Sequence, residues 1–564
     1  MDTYVIGCDY GTLSMRSLLV RVRDGFVAAE ATFPYPHGVI TGELPEGKAP
    51  LPGSDWALQD PDDYLDALTH CIPSVLRQSG VSREHVIALG LDFTTCTMMP
   101  MSADGRALCQ IAEFRNRPHA WVKLWKNHTA YREADELTRY VQDNGYHVLD
   151  YYGMRASSEW MLPKIWEILR KDPEVYQKAY TFIEAGDFVV YQLCGKIVRS
   201  GVFAAARGLY NNKTRRYPDA SFFRGLDPRL ENIVEEKHLG NVVTVGTPAG
   251  TITAQMAKRL GLSENTIICT AHADAACTLP GAGVAKPNEM VYVMGTSICQ
   301  MMLAENLERI PGITAAFYEG VIPGYYCYEA GQSAGGDIFN WYCSMLPAKY
   351  SEEAGARGVH IMDLMNEKAG RLAIGQSGVM ALDWLNGNRS ILQDSNLTGL
   401  LAGLTLSTTP EEIYRALLES VAFGTRVIMD QFNAYHVPVR ALHACGGLAQ
   451  KNGLLMQIYS DVMDMPIRVC AVKQTSALAS AIFASAAAGE ARGGYQDVKT
   501  AAAAMVPPPQ VVYRPSPGNV PRYRELYGIY RGFHDQMSQG ADSPMRRLRG
   551  VQRAVLSDVT CKQQ

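Results

Sequence analysis

Two glycine–threonine turns, each closing an apolar run, are the residues whose type and spacing first promise chemistry. Residues 3–8 are mostly apolar and read as a buried strand that ends at Asp9; Gly11 and Thr12 follow, and Met15–Val22 read as the returning strand. Far downstream, Met290–Met294, the turn Gly295-Thr296-Ser297 and Ile298–Leu303 repeat the pattern. Glycine in such a turn lets backbone N–H groups approach a phosphate, and the hydroxyl on the next residue adds a donor. Singly, each turn is also an ordinary tight hairpin. As a pair facing each other across a cleft, they could hold a polyphosphate from both sides. Asp9 is then placed to bind Mg²⁺, directly or through water, because Mg²⁺ favours one or two carboxylates plus phosphate oxygens.

A second acid, Asp274, lies where the strand pattern Thr266–Thr270 passes through His272-Ala273 into Ala275-Ala276-Cys277. Two compatible readings stay open: a helix N-cap, and a general base that takes the proton from a hydroxyl attacking a phosphoryl group. Gly446-Gly447-Leu448-Ala449-Gln450-Lys451-Asn452 follows the strand pattern Leu442–Cys445 and opens a helix. It is either a tight βα turn or a place where backbone comes close to a flat ligand such as adenine, with Lys451 and Asn452 as nearby polar groups. The stretch Gly42–Ala49 imitates a P-loop but lacks the Ser/Thr after Lys48, follows no strand and contains Pro45, so that reading fails.

Positioning these groups needs alternating strands and helices. Helical periodicity runs over 119–143, 158–171, 252–261 (with Gly261 as its C′ residue), 410–435, 453–464 and about 519–538, and Val86–Asp92 and Met98–Met101 read as strands. The repeated hairpin, opening a long α/β stretch each time, implies two halves of related architecture. At 564 residues the chain exceeds what one hydrophobic core supports. The boundary is expected near residue 284, beside the hinge-like Pro280–Gly283, giving domains 1–284 and 285–540 and a loose tail over 541–564.

Composition narrows the partners. A formal net charge of -4 and the lack of any long basic stretch beyond Arg546, Arg547 and Arg549 argue against nucleic acid. No apolar run is long enough to span a bilayer, the Ala-rich 477–488 being short and broken by Ser. The first residues enter a strand pattern without the features of a signal peptide. The 13 cysteines are scattered singly, several inside apolar runs where a thiol acts as a small hydrophobe. These features lead to the expectation of a reduced, cytoplasmic protein with no membrane partner; a homodimer is left open.

With these pieces in hand, the chain resembles the FGGY family of carbohydrate kinases from its first strand to about residue 535. Asp9-Tyr-Gly-Thr-Leu-Ser-Met-Arg16 resembles the family's first phosphate motif, Ala271–Gly283 the segment of its catalytic Asp, Met294–Cys299 its second phosphate motif, and Ala444–Asn452 its adenosine motif. Leu124–Ala130, Ser157–Ile165, Glu329–Asp337 and Leu382–Arg389 are similar to the ribulokinase branch. The resemblance implies two actin-like (ribonuclease H-like) α/β ATPase domains with a central cleft, using ATP and Mg²⁺. It makes Asp274 the base and Asp9 part of the Mg²⁺ site. It puts Gly11, Thr12, Ser14, Arg16, Gly295 and Thr296 on phosphates, and Gly336, Asn340, Gly446, Gly447, Leu448 and Lys451 beside the nucleotide. Asp92, Thr94, Glu159, Lys164, Arg207 and Glu329 join Asp274 around the sugar. The implied reaction is phosphorylation of a ketopentose, foremost L-ribulose to L-ribulose 5-phosphate in arabinose catabolism. The alternatives are another ketose or polyol, such as D-ribulose or xylulose, and an actin-like ATPase without a sugar substrate. Three positions depart from the branch: Arg207 stands where a Lys is usual, Asn127 where an Asp is usual, and Ala479 where a Gly is usual.

Overall fold

A computed structural model of the chain describes residues 2–45, 49–540 and 543–563, the side chains of 553 and 556–563 excepted. Gly47 and Lys48 of the P-loop-like stretch lie outside the described residues. Tyr4–Tyr10 pairs antiparallel with Ser14–Arg21, which pairs antiparallel with Val27–Pro34. On its other side Tyr4–Tyr10 runs parallel to Val86–Phe93, then comes parallel Ile267–Cys269, edged by antiparallel Pro248–Thr251. The second sheet repeats this plan. Glu289–Met294, Ile298–Ala304 and Tyr326–Gln332 form its meander, and parallel Ala441–Cys445 and Ile467–Val469 are edged by antiparallel Val511–Tyr513. Ala315–Tyr318 adds one strand beside the meander. The repetition read from the two hairpins therefore extends through six strands of each sheet.

The central strand Tyr4–Tyr10 is buried on both faces, and its near-continuous apolar run has that cause. One face is covered by the helix Pro61–Ser79, which starts on an Asp60 cap with Pro61 in its first turn and stops at Gly80, φ +67°. The Tyr10 hydroxyl donates to the Tyr64 carbonyl of that helix at 3.1 Å. The other face is covered by Thr475–Ala488, a helix from the far half of the chain with 12 of its 14 residues buried and no polar side to spare. It lies so close that a Cβ on Gly7 would sit 1.9 Å from the Ala477 carbonyl oxygen, and one on Gly90 2.3 Å from that of Ser480. The helix Asp274–Gly281 runs against the same element, where a Cβ on Gly281 would lie 2.3 Å from the Thr475 carbonyl oxygen. On the second sheet the helix Pro410–Ala434, opened by a Thr409/Glu412 capping box, supplies the main apolar cover.

Two expectations on local structure change. The helical pattern over 119–143 is a helix only at Tyr131–Asp143; Pro118–Ala120 is a short 3₁₀ turn and Val122–Lys123 a short strand. Lys123 is fully buried and donates to Glu167 at 2.9 Å, so part of what reads as a solvated charged face is an internal ion pair. Over 544–563 the terminal segment is helical, with Met545 buried and Arg546 donating to Asp394 at 2.6 Å. The twelve described cysteines are all free, and no helix among the described residues is long and apolar enough to cross a membrane.

Candidate active site

Strand register brings three acids to one level. Asp9 pairs with Asp92, His272 pairs with the same Asp92 from the other side, and Asp274 follows two residues later. All lie at the carboxyl ends of neighbouring parallel strands, where open α/β sheets place their ligands. Asp92 is wholly buried; its Oδ2 accepts from Ser480 Oγ at 2.7 Å and its Oδ1 has no partner. Burial, then the charge of Asp9, pushes the Asp92 carboxyl well above the usual range. Asp9 accepts from Arg16 Nη1 at 3.1 Å. Asp274 is the first residue of its helix and its Oδ1 accepts the Ala275 N–H at 2.7 Å, a cap-like contact. Burial, followed by Asp9 and Glu329, raises its carboxyl to about 7 against the opposing pull of that N–H and of Arg207.

Asp274 opens on a cavity of about 990 Å³ between the two sheets' lobes, whose walls include Thr94, Glu159 and Arg207 from the first lobe and Cys299, Glu329 and Arg389 from the second. Arg207 Nη2 donates to both oxygens of Glu329, at 3.0 and 3.2 Å, and Arg389 donates to Oε1 of the same carboxylate. Burial alone would raise Glu329, but Arg207 and Arg389 outweigh it and hold the carboxyl below its ordinary value. Arg207 is thus an ion-paired residue inside the cavity rather than on the surface. Thr94 is tied to Thr97 through their hydroxyls, 2.8 Å apart. Lys164 and Asp92, expected beside a ligand, do not line the cavity. Lys164 is fully buried and donates to the carbonyls of Cys96 and Leu124 at 2.7 and 2.8 Å, fastening the turn that carries Thr94 to the segment before Trp125.

Both glycine–threonine turns are closed by the glycine, the Gly11 N–H donating to the Ser14 carbonyl three residues on and the Gly295 N–H to the Ser297 carbonyl two residues on, each at 3.0 Å. Thr12 Oγ1 accepts from Trp125 Nε1 at 3.1 Å. The second turn is braced by backbone: the Gly335 N–H donates to the Thr296 carbonyl at 2.7 Å and the Gly336 N–H to that of Gly295 at 2.9 Å. Gly446, at φ +93°, passes so close to Met294 that a Cβ would lie 2.4 Å from its carbonyl oxygen. The structure therefore gathers Gly295, Thr296, Gly336 and Gly446, with the helices Gly336–Ser344 and Gly447–Lys451 both starting there. Leu448 and Lys451 lie on the second of these helices, and Asn340 is exposed in the second turn of the first.

Residues 4–281 match the N-terminal domain of the FGGY family of carbohydrate kinases, and residues 290–488 match its C-terminal domain. This chain belongs to that family. The FGGY chain is 46% identical to a ribulokinase of Anoxybacillus flavithermus, over 97% of this chain and 96% of that one. It is 41% identical to a ribulokinase of Mycolicibacterium smegmatis, over 97% and 96% of the two chains. Its fold is similar to the crystal structure of xylulose kinase from Rhodospirillum rubrum, with a TM-score of 0.77 and 22% identity over 94% of this chain and 99% of that one. The fold is the two-domain actin-like α/β arrangement expected from the motifs. Trp125, Cys299 and Arg389 lie in segments that the motifs singled out, but sequence reading named none of them as a wall of the FGGY cavity. The Asn-Gly-Asn run before Arg389 marks a turn that could have drawn attention to it.

Proposed function

We propose that this FGGY kinase transfers the γ-phosphoryl group of ATP to the 5-hydroxyl of L-ribulose, giving L-ribulose 5-phosphate and ADP. The observation that carries the reading is Asp274: a carboxyl raised to about 7, in one cavity with the Arg207–Glu329 pair. A base near neutrality is matched to accepting a hydroxyl proton at physiological pH. The choice of sugar draws on the ribulokinases to which the chain is similar at 38–46% identity.

In this mechanism Asp274 takes the proton from the sugar hydroxyl as that oxygen bonds to the γ-phosphorus, and the bond to the β–γ bridging oxygen of ATP breaks. The turns at Gly11-Thr12 and Gly295-Thr296, with Ser14 and Arg16, hold the phosphates; Gly336, Asn340 and Gly446–Lys451 border the nucleotide. Glu159, Arg207 and Glu329 orient the sugar, and Asp92, Thr94 and Lys164 hold the wall behind it. Among the described residues no three His, Cys, Asp or Glu side chains form a cage for a metal. Mg²⁺ bound with phosphate oxygens needs no cage, and the Asp9 carboxylate at the end of its strand is a fitting donor, directly or through water. When bound, Mg²⁺ would neutralise charge on the phosphates. The lobes, 1–284 and 285–540 except that Thr475–Ala488 packs on the first sheet, would close about 275–290 and exclude water. A role in arabinose catabolism implies a cytoplasmic enzyme.

Release of ADP measured over L-ribulose, D-ribulose, D- and L-xylulose, L-arabinose, ribitol and glycerol tests the reading. L-ribulose should give the highest kcat/KM. Preference for another sugar reassigns the substrate, and ADP release that no sugar stimulates rejects the kinase mechanism.

A further inference from the structure

The two arginines on Glu329 come from opposite sides of the cleft. Arg207 ends the helix Gly201–Arg207 of the first lobe, whereas Arg389 follows the turn after Met380–Leu382 in the second lobe, which also carries Glu329 in Tyr326–Gln332. Arg389 is built into that strand's surroundings. A Cβ on Gly331 would lie 3.1 Å from Arg389 Nη1, so glycine leaves room for the guanidinium. The neighbouring Ser390 Oγ accepts the Gly331 N–H at 3.2 Å, and Arg389 Nη1 stands 3.7 Å from Cys299 Sγ.

The carboxylate oxygens are used unequally. Oε1 accepts from both guanidiniums, while Oε2 accepts from Arg207 alone, at 3.0 Å. An ionised carboxylate oxygen accepts about two hydrogen bonds, so Oε2 keeps capacity for a further donor. The Glu329 side chain is 8% exposed, against 15% for Arg207 and 32% for Arg389. Two guanidiniums on one carboxylate leave an excess positive charge in the wall, which Glu159 and Asp274 face from the first lobe.

We propose that Arg389 is a positioning residue for sugar recognition: it pins Glu329 by Oε1 from within the second lobe, so that Oε2 is presented both to Arg207 across the cleft and to a sugar hydroxyl. Sugar binding and apposition of the lobes then draw on one carboxylate. The proposal rests on the kinase reading above and adds to it a residue with no contact to the reacting atoms.

The test is a cycle of Arg389→Met, Glu329→Gln and the double variant, with Arg389→Lys beside them. For each, kcat, the KM for sugar, the KM for ATP and the urea midpoint are measured on the sugar that the parent prefers. Arg389→Met should raise the sugar KM about 10- to 100-fold, as expected for losing one partner of a buried charge pair, and leave the ATP KM within about twofold. Arg389→Lys should recover only part of that loss, because an ammonium cannot reproduce the planar fork. In the Glu329→Gln background Arg389→Met should change the sugar KM by less than about threefold, since the two act as a unit. An unchanged sugar KM in a folded Arg389→Met protein overturns the proposal. So does an equal loss in both backgrounds, or a loss that tracks the urea midpoint and moves both KM values together. Parent activity separates the two failures: a parent that phosphorylates no sugar rejects the kinase reading and this proposal together, whereas an active parent with an additive cycle rejects only the proposal.

Discussion

Where the helix Thr475–Ala488 lies on the first sheet, backbone meets backbone; where Ala315–Tyr318 and Tyr326–Gln332 meet the first lobe, ion pairs and hydrogen bonds stand beside apolar packing of Phe317 and Cys327. The first contact is set by Gly7, Gly90 and Gly281 against the carbonyls of Ala477, Ser480 and Thr475. The second includes Arg207–Glu329, Arg215–Glu319 at 2.8 Å, Arg309–Asp150, the Asn212 Nδ2 donation to the Tyr318 carbonyl at 2.8 Å and the Ala316 N–H donation to the Tyr151 carbonyl at 2.9 Å. Close-packed backbone cannot separate slightly without losing its dispersion contacts and leaving a void. The exposed pairs, such as Arg215–Glu319, can be exchanged for water at small net cost, and the buried Arg207–Glu329 pair can part where water or a ligand hydroxyl takes its place. One contact is therefore suited to be a pivot, and the other to part and re-form.

The largest expected effect lies at their junction, where Asp274 begins a helix of the tight contact and turns its carboxylate toward the ionic one. Asp274→Asn should lower turnover about 10²- to 10⁴-fold, the range for loss of a general base, with ATP affinity retained. Because proton acceptance requires the ionised form and the carboxyl of the free protein is raised to about 7, parent kcat/KM for the sugar should climb as pH rises through about 7 and level off above it. Near-parent turnover by a folded variant would reduce Asp274 to a helix cap.

Breaking the pivot comes next. Gly7→Ala would drive a methyl group to within 1.9 Å of the Ala477 carbonyl oxygen. Overpacking of this kind costs about 1–3 kcal/mol or more, so thermal unfolding should shift clearly downward. An unshifted unfolding curve would show that the contact is compliant and remove its claim to be a pivot.

Ligands sharpen the contrast without mutation. If the ionic contact parts and re-forms, sugar and a non-hydrolysable ATP analogue should each raise the other's affinity, by about 5- to 150-fold. Small-angle scattering should show the compact state with both bound. Independent binding with an unchanged radius of gyration would count against closure.

The smallest effect belongs to Arg215→Ala. Arg215 is 46% exposed, and the pair it forms with Glu319 should contribute about 1 kcal/mol or less to stability and fade in high salt. A loss as large as that of Gly7→Ala would erase the distinction between the two contacts.

What the sequence could show follows the same division. The hairpins at Gly11-Thr12 and Gly295-Thr296 are local, with strand, turn and return adjacent in the chain, so their duplication and the α/β plan were readable. The cover of the first sheet by Thr475–Ala488 was not. Its periodicity is erased by burial on all sides, and its partners Gly7 and Gly90 lie some 400 residues away, where no local pattern reaches. Lys123 and Lys164 misled for a related reason: a lysine is read as solvated or ligand-facing, yet both are fully buried, one on Glu167 and one on backbone carbonyls. The gathering of Gly295, Gly336 and Gly446 became visible only when strand order placed their turns side by side.

The Trp125 indole, 37% exposed, lines the cavity and donates its N–H to the threonine hydroxyl of the first glycine–threonine turn. Trp56, Trp121, Trp160, Trp166 and Trp384 are buried, and the other exposed indole, Trp341, stands outside the cavity on the helix after Gly336. Emission from Trp125, and from the buried Trp160 that also lines the cavity, should therefore answer to what fills the cleft, while the other buried indoles supply a steady background. Replacing Trp341 by Phe would leave a chain whose ligand-dependent fluorescence arises from the two rings that line the cavity, Trp125 and Trp160, the first of them also touching the phosphate turn. The molecule would then carry its own optical gauge of occupancy, readable in a stopped-flow cell without any attached dye.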